Sequence, residues 1–179
     1  MKQTGNLPSV LVVEDSRVTL NVLTDYLRGM GINEPLLAKT GQQAIDLFNR
    51  HRPDVVILDV RLPDFDGFEV ARKLRKLERE QEWAAIIFLT AMNSDTDLAR
   101  GIAAGGDDYL VKPVSETVFQ AKVRAMQRLI EMQRKLVEVT RKLDAANAEL
   151  QRMSTTDALT GIANRRALDD FLSREWRRC

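Results

Sequence analysis

The chain has 179 residues, 44% of them apolar and 30% charged, which is typical of a globular protein and excludes a disordered or fibrous one. Its 27 Lys and Arg residues nearly balance 26 Asp and Glu residues, so the net charge of +1 gives no global attraction to nucleic acid or anionic lipid. A single cysteine, Cys179, excludes a disulfide framework within the chain, and no apolar run approaches the length of a membrane span. We therefore expect a cytoplasmic protein that binds neither nucleic acid nor a membrane.

Short apolar runs alternate with amphipathic stretches through the first part of the chain. The apolar runs are Val10–Val13, Leu36–Ala38, Val55–Leu58, Ala84–Leu89 and Tyr109–Val111. The helical patterns between them are Val18–Leu27, Ala44–Phe48, Phe68–Leu77 and Leu98–Ala104. Short buried strands separated by helices are typical of βαβ units, and hence of a parallel sheet covered on both faces. The sequence predicts an α/β domain with a doubly wound, flavodoxin-like sheet of five parallel strands in the order 2-1-3-4-5.

A long helix is predicted after this domain, because residues 116–154 contain no Gly or Pro and are rich in helix formers. Leucines recur there every seventh residue, and an apolar residue follows each leucine three positions later. These residues are Leu129, Leu136, Leu143 and Leu150, followed by Met132, Val139, Ala146 and Met153. The pattern predicts the seam of a parallel coiled coil in a homodimer. The alternative is a surface helix on its own domain, which would be shorter and have a period of about 3.6 residues.

The coiled coil is expected to be only marginally stable. Opposite charges are missing from the positions that flank the seam, and the small side chain of Ala146 adds little apolar surface to the seam. The charge distribution supports three segments, with net charges of −3 for residues 1–115, +3 for residues 116–154 and +1 for residues 155–179. None of these segments is basic enough to indicate nucleic-acid binding.

Acidic residues stand at the ends of two predicted strands. Glu14 and Asp15 follow the first strand, and Asp59 follows the third. Ligands of an open parallel sheet bind beyond the carboxyl ends of its strands, so we expect these carboxylates to converge. With no Lys or Arg expected among them, the carboxylates would repel one another unless a hard cation with oxygen ligands lay between them. The sequence therefore predicts a Mg²⁺ site.

Two further polar residues end the remaining predicted strands. Thr90 ends the fourth strand and Lys112 ends the fifth, which adds a hydroxyl group and an ammonium group to the same edge of the sheet. A carboxylate beside a metal, a hydroxyl and an ammonium is equipped to accept a phosphoryl group and to disperse its charge. The expected nucleophile is Asp59.

These residues belong to a set of motifs that resembles the response-regulator receiver domain over about residues 8–130. The motifs are Glu14-Asp15, Asp59 with Leu62-Pro63 and Asp66-Gly67, Thr90-Ala91, and the run from Asp107 to Pro113. The resemblance implies that a histidine kinase or a phosphotransfer protein phosphorylates Asp59.

The resemblance also assigns roles to neighbouring residues. It implies that Mg²⁺ is held by Asp15, Asp59 and the backbone carbonyl of Arg61, with Glu14 acting through water. It further implies that Thr90 and Tyr109 form a switch pair. Finally, it implies that the bond from Lys112 to Pro113 is cis.

The segment after the long helix carries a second resemblance. Residues 157–168 read DALTGIANRRAL, which resembles the opening of a GGDEF domain, the catalytic module of diguanylate cyclases that condense two GTP into cyclic di-GMP. The resemblance implies that Asn164 contacts the guanine base in an intact cyclase. Residues 155–179 are interpreted as the N-terminal part of such a domain, and the catalytic signature is absent from this sequence. GTP is therefore expected only as the substrate of a longer cyclase.

Three hypotheses of function remain. The first is a response regulator in which phosphorylation of Asp59 drives dimerisation and, through the coiled coil, controls a diguanylate cyclase output. The second is a receiver with a coiled coil that acts as an adaptor on a separate partner protein. A DNA-binding output is less favoured, because no helix-turn-helix pattern or basic stripe follows residue 115.

Overall fold

The computed structural model describes residues 7–79, 82–91 and 95–155. The segment that resembles a GGDEF opening, with its proposed guanine contact Asn164, lies outside the described residues. The side chain of Met153, the last residue of the predicted seam, is also outside what is described.

Five strands alternate with five helices in this part of the chain. The elements are β1 (Val10–Val13), α1 (Arg17–Gly29), β2 (Leu36–Ala38), α2 (Gly41–His51), β3 (Val55–Asp59), α3 (Gly67–Leu77), β4 (Ala85–Thr90), α4 (Asp95–Ala103), β5 (Asp108–Val111) and α5 (Glu116–Thr155). The strands pair in parallel in the order β2-β1-β3-β4-β5, which confirms the predicted fold class and strand order. The helix α4 begins at Asp95, before the start of the predicted pattern at Leu98.

The sheet has an apolar layer on each face, because successive residues of a strand point to opposite faces. Along β1, Val10 and Val12 join a cluster with the apolar faces of α1 and α5. Leu11 and Val13 join a second cluster with residues of α2 and α3, including Phe48. Burying a side chain of this size stabilises the fold by about 1.5–3 kcal/mol, so the two layers hold the sheet between helices on both sides.

The long helix α5 starts as part of this core. Phe119, Val123, Met126 and Ile130 are buried and follow a helical spacing along one face. The compact unit that contains the sheet extends to Met132. The α/β domain thus incorporates the start of the helix that the sequence analysis assigned from residue 116.

Further along α5, the predicted seam is exposed to solvent in the single chain. Leu136 and Val139 are 66% and 61% exposed, and Leu143 and Leu150 are 58% and 63% exposed. Leu129, Met132 and Ala146 are exposed as well. An apolar stripe at this spacing therefore runs along the described part of the helix.

At the amino-terminal edge of the sheet, one arginine connects three segments. Arg75 of α3 donates to the carbonyl oxygens of Ala84 and Gly105, each across 2.6 Å. The same guanidinium lies 2.6 Å from a carboxylate oxygen of Asp107, which in turn accepts the amide N–H of Ile86 across 2.7 Å. This Arg75 cluster joins α3, the start of β4 and the segment between α4 and β5.

Candidate functional site

Three carboxylates meet where β1 and β3 end, because these two strands are neighbours in the sheet. One oxygen from each of Glu14, Asp15 and Asp59 lies within 4.8 Å of the other two. Glu14 and Asp59 are buried, at 1% and 6% exposure, while Asp15 is exposed. The predicted convergence of these acids is therefore present in the fold.

The expectation that no basic side chain lies among these acids is wrong. The ammonium group of Lys112 donates to Oε2 of Glu14 across 2.6 Å and to Oδ2 of Asp59 across 2.7 Å. Lys112 follows β5, and β4 separates β5 from β3, so only the long lysine stem allows the ammonium to reach the cluster. The cluster is thus partly neutralised by the chain itself.

Burial and charge shift the pKa of two groups in this cluster. Burial raises the pKa of Glu14, the hydrogen bond from Lys112 lowers it and the Asp59 charge raises it, and the pKa ends above its ordinary value. Burial lowers the pKa of Lys112, but its hydrogen bonds to Asp59 and Glu14 outweigh burial and raise that pKa overall. The site therefore holds Lys112 in its charged form.

The loop after Asp59 is folded tightly against the strand that precedes it. The amide N–H of Arg61 donates to Oδ1 of Asp59 across 3.1 Å, and that of Gly67 donates to the carbonyl of Val60 across 2.8 Å. A Cβ atom on Gly67 would lie 2.2 Å from the carbonyl oxygen of Asp59, so only glycine permits this approach. Asp66 accepts the amide N–H of Phe68 across 2.9 Å and so caps α3.

The donor set of this site fits a hard cation. Carboxylate and main-chain carbonyl oxygens are the ligands that Mg²⁺ prefers. The site offers three carboxylates, from Glu14, Asp15 and Asp59, and the loop that carries Arg61 directly follows Asp59.

A cavity of about 510 Å³ opens beside the acid cluster. The polar and charged residues of its lining are Asp59, Arg61, Asp66, Thr90 and Arg100. Its apolar lining comes from Leu62, Phe65 and Phe68 with neighbouring residues. Asp59 and the half-buried Thr90 therefore face a common space that can admit a phosphoryl group.

Two further residues singled out by the resemblance, Tyr109 and Pro113, lie on β5 and just after it. Tyr109, which is 37% exposed, lies on β5, does not line the cavity and has its ring centroid 5.3 Å from the ammonium of Lys122. The peptide bond between Lys112 and Pro113 is cis, as the resemblance implied.

One carboxylate near this site was not predicted from the sequence. Asp64, in the loop after Asp59, accepts the amide N–H groups of Gly41 and Gln42 across 2.8 and 2.9 Å at the start of α2. Burial raises the pKa of Asp64, but the backbone hydrogen bonds outweigh burial and lower it overall. No local spacing reveals this contact, because the partners are more than 20 residues apart in sequence. The sole local signal in the sequence is the turn-forming composition around Pro63, which indicates a turn but not its partner.

Over the described ranges 7–79, 82–91 and 95–155, no helix combines the length and the apolar character needed to cross a bilayer.

Comparisons with known proteins agree with this geometry. The transcriptional regulatory protein AfsQ1 of Streptomyces coelicolor is 39% identical over 122 residues, which are 68% of this chain and 52% of AfsQ1. This chain therefore spans about half the length of that curated relative. The receiver domain of the sensor histidine kinase PA1611 of Pseudomonas aeruginosa, solved with a magnesium ion coordinated in its active site cleft, is 34% identical with a TM-score of 0.59, covering 69% of this chain and 98% of that chain.

A second solved structure is the complex of the Saccharomyces cerevisiae histidine phosphotransfer protein Ypd1 with the receiver domain of its downstream response regulator Ssk1. The match has 31% identity and a TM-score of 0.60, and it covers 66% of this chain and 89% of that chain. Residues 10–124 match the family described as the response regulator receiver domain. With its strand order and its cluster of acids, the chain belongs to the response regulator receiver family.

Proposed function

We propose that Asp59 is the phosphoacceptor of this receiver and that a histidine kinase or a phosphotransfer protein is the donor. One observation carries the proposal. The buried Asp59 carboxylate is held by Lys112 at Oδ2 and by the Arg61 amide at Oδ1, and it faces a cavity shared with Thr90. A carboxylate oriented in this way is ready to act as a nucleophile. The match to the complex of Ypd1 with a receiver supports the class of donor.

The proposed step is the transfer of a phosphoryl group from a phosphohistidine. A carboxylate oxygen of Asp59 forms a new bond to phosphorus as the phosphorus–nitrogen bond breaks, and the electron pair of that bond stays on the departing imidazole. The ammonium of Lys112 neutralises charge on the transferred group, and the Thr90 hydroxyl donates to a phosphoryl oxygen.

Mg²⁺ fits the same site in this proposal. Asp15, Asp59 and the main-chain carbonyl of Arg61 would hold the ion, with Glu14 acting through water. When bound, the ion neutralises the charge on the phosphoryl oxygens. The cluster of three carboxylates and the magnesium-containing PA1611 receiver support this assignment.

The output of the receiver is the second part of the proposal. Receiver phosphorylation would drive parallel pairing of α5 along its exposed seam and so control a diguanylate cyclase module that begins near residue 155. The exposed apolar stripe supports the pairing, and the sequence of residues 157–168 supports the cyclase. The name of AfsQ1 describes a transcriptional regulator, and this chain covers 52% of that protein. The alternative is an adaptor that uses the same helix to bind a separate partner protein.

The direct test is to incubate the protein with acetyl phosphate and Mg²⁺ and to measure intact mass and peptide masses. We expect one phosphoryl group on the peptide that contains Asp59. The isosteric variant Asp59→Asn is the matched control, and equal labelling of that variant would disprove the assignment.

For the output, a reading frame that continues into a Gly-Gly-(Asp/Glu)-Glu-Phe signature would separate the cyclase from the adaptor.

A further inference from the structure

The loop between β3 and α3 forms a small closed hairpin. Residues 61 and 66 pair as an isolated antiparallel bridge at its base. On one side, Asp66 anchors the hairpin to the start of α3 through the amide of Phe68. The main-chain carbonyl of Arg61, which is assigned above to the metal, belongs to this hairpin. The position of that carbonyl therefore depends on how the hairpin is held.

On its other side, the hairpin is anchored to α2 by Asp64. Oδ1 of Asp64 accepts from Gly41 across 2.8 Å, and Oδ2 accepts from Gln42 across 2.9 Å. The first amide groups of a helix have no partner within the helix, and the positive end of the helix dipole favours a carboxylate there. A contact that uses both carboxylate oxygens fixes orientation as well as distance.

The side chain of Phe65, which follows Asp64, reinforces the contact between the hairpin and α2. A Cβ atom on Gly41 would lie 3.0 Å from Cδ2 of Phe65 and 2.6 Å from Cγ2 of Val70, so the hairpin and α3 approach the α2 backbone where only glycine fits. The ammonium of Lys73 lies 3.7 Å from the ring centroid of Phe65. The hairpin is therefore held against α2 and α3 by both polar and apolar contacts.

We propose that Asp64 is a positioning residue for the metal site, because it fixes the hairpin to α2 and thereby places the Arg61 carbonyl beside Asp15 and Asp59. The inference rests on the Mg²⁺ site proposed above. Mg²⁺ demands near-ideal octahedral geometry and tolerates little displacement of a ligand. Loss of the Asp64 contact should therefore weaken Mg²⁺ binding, although Asp64 is not itself a ligand.

The chain offers a control that separates positioning from helix stability. Thr40 caps the same helix, since its Oγ1 accepts the amide N–H of Gln43 across 3.2 Å, and it is not part of the hairpin. Thr40→Ala thus weakens the start of α2 and leaves the Asp64 contact in place.

The experiment measures the Kd for Mg²⁺ by titration calorimetry on the full chain, together with Tm in metal-free buffer. For Asp64→Ala we expect Kd to rise by about tenfold. This is the lower end of the loss of metal affinity that follows when a residue supporting a metal ligand is removed. Asp64→Asn keeps one acceptor oxygen, and it should give an intermediate Kd. Thr40→Ala should lower Tm comparably to Asp64→Ala and leave Kd within about twofold of the parent value.

A second readout is the rate of Asp59 phosphorylation by acetyl phosphate. In Asp64→Ala this rate should return to near the parent value at saturating Mg²⁺, because the nucleophile and Lys112 are untouched. If Asp64→Ala and Asp64→Asn both bind Mg²⁺ as the parent does, or if Thr40→Ala raises Kd equally, the role of Asp64 is disproved while the metal site stands. If the parent chain binds no Mg²⁺, both the metal site and the role of Asp64 fail.

Discussion

Lys112 contacts Asp59 across the intervening strand β4, with its ammonium nitrogen 2.7 Å from Oδ2 of the carboxylate. The two residues are 53 positions apart in sequence, and the contact joins the ends of β3 and β5. A charge held this close to the proposed nucleophile is well placed to stabilise an incoming phosphoryl group.

We therefore predict that Lys112→Met slows phosphorylation of Asp59 by acetyl phosphate by at least about 100-fold at saturating Mg²⁺, the usual effect of removing one oriented donor from a transition state. Methionine keeps most of the length of the side chain and removes its charge. A time course of intact mass measures the rate. Lys112→Arg, which keeps the charge, should retain part of the activity, and a parent-like rate for Lys112→Met would contradict the role of the ammonium.

Glu14 gives a prediction about pH and stability. Its pKa is raised on folding, mainly by burial, from an ordinary value of 4.5. The folded protein therefore holds the Glu14 proton more tightly than the unfolded chain does. The stability contributed by Glu14 is fully present below pH 4.5 and is lost as the pH rises through the folded pKa.

Because Glu14→Gln cannot ionise, its metal-free form should be more stable than the parent at pH 7. The difference should shrink at pH 4. Urea unfolding in the presence of EDTA at both pH values measures it. A parent protein that is the more stable of the two at pH 7 would contradict the prediction.

Thr90 is predicted to couple phosphorylation to self-association. It lines the cavity with Asp59, so its hydroxyl can follow a phosphoryl oxygen and allow Tyr109 on the adjacent strand β5 to respond. Thr90→Ala should still incorporate phosphate at Asp59 but lose dimerisation induced by beryllofluoride and Mg²⁺, as measured by sedimentation velocity. Thr90→Ser keeps the hydroxyl and should dimerise. Full dimerisation of Thr90→Ala would disprove the coupling.

The exposed seam of α5 is predicted to form the dimer. Replacing Leu136 and Leu143 with Lys puts charges into the proposed apolar interface and should abolish the dimer while leaving Asp59 phosphorylation intact. Ala145→Lys with Ala148→Lys is the control, because it adds the same charge off the seam. Sedimentation equilibrium distinguishes the two double variants. A dimer that survives in the Leu136 and Leu143 variant, or antiparallel spin-label distances in the parent, would rule out the parallel coil.

Most of the fold was predictable because it depends on local patterns. Apolar runs such as Val55–Leu58 indicate strands through their own burial, and the expected order 2-1-3-4-5 is one of the common orders of doubly wound parallel sheets. That order places Glu14 and Asp59 at neighbouring strand ends, so the convergence of acids followed from the sequence.

The parts that were not predictable depend on side chains that connect distant segments. Lys112 reaches Glu14 across a separation of 98 residues, and Asp64 reaches Gly41 across 23. Neither contact has a periodicity or a spacing that marks it. Each depends on the length of a side chain and on packed backbone positions, which become known only when the whole domain is assembled.

The Arg75 cluster constrains how α4 can respond when the site changes. Its hydrogen bond to Gly105 and its ion pair with Asp107 hold the chain just beyond the C-terminal end of α4. A rearrangement that keeps these contacts cannot carry that end of the helix along the sheet. The helix would instead rotate about its C-terminal end near Gly105. In a change that begins beside Thr90, the displacement of α4 would therefore be largest at its N-terminal end, at Asp95.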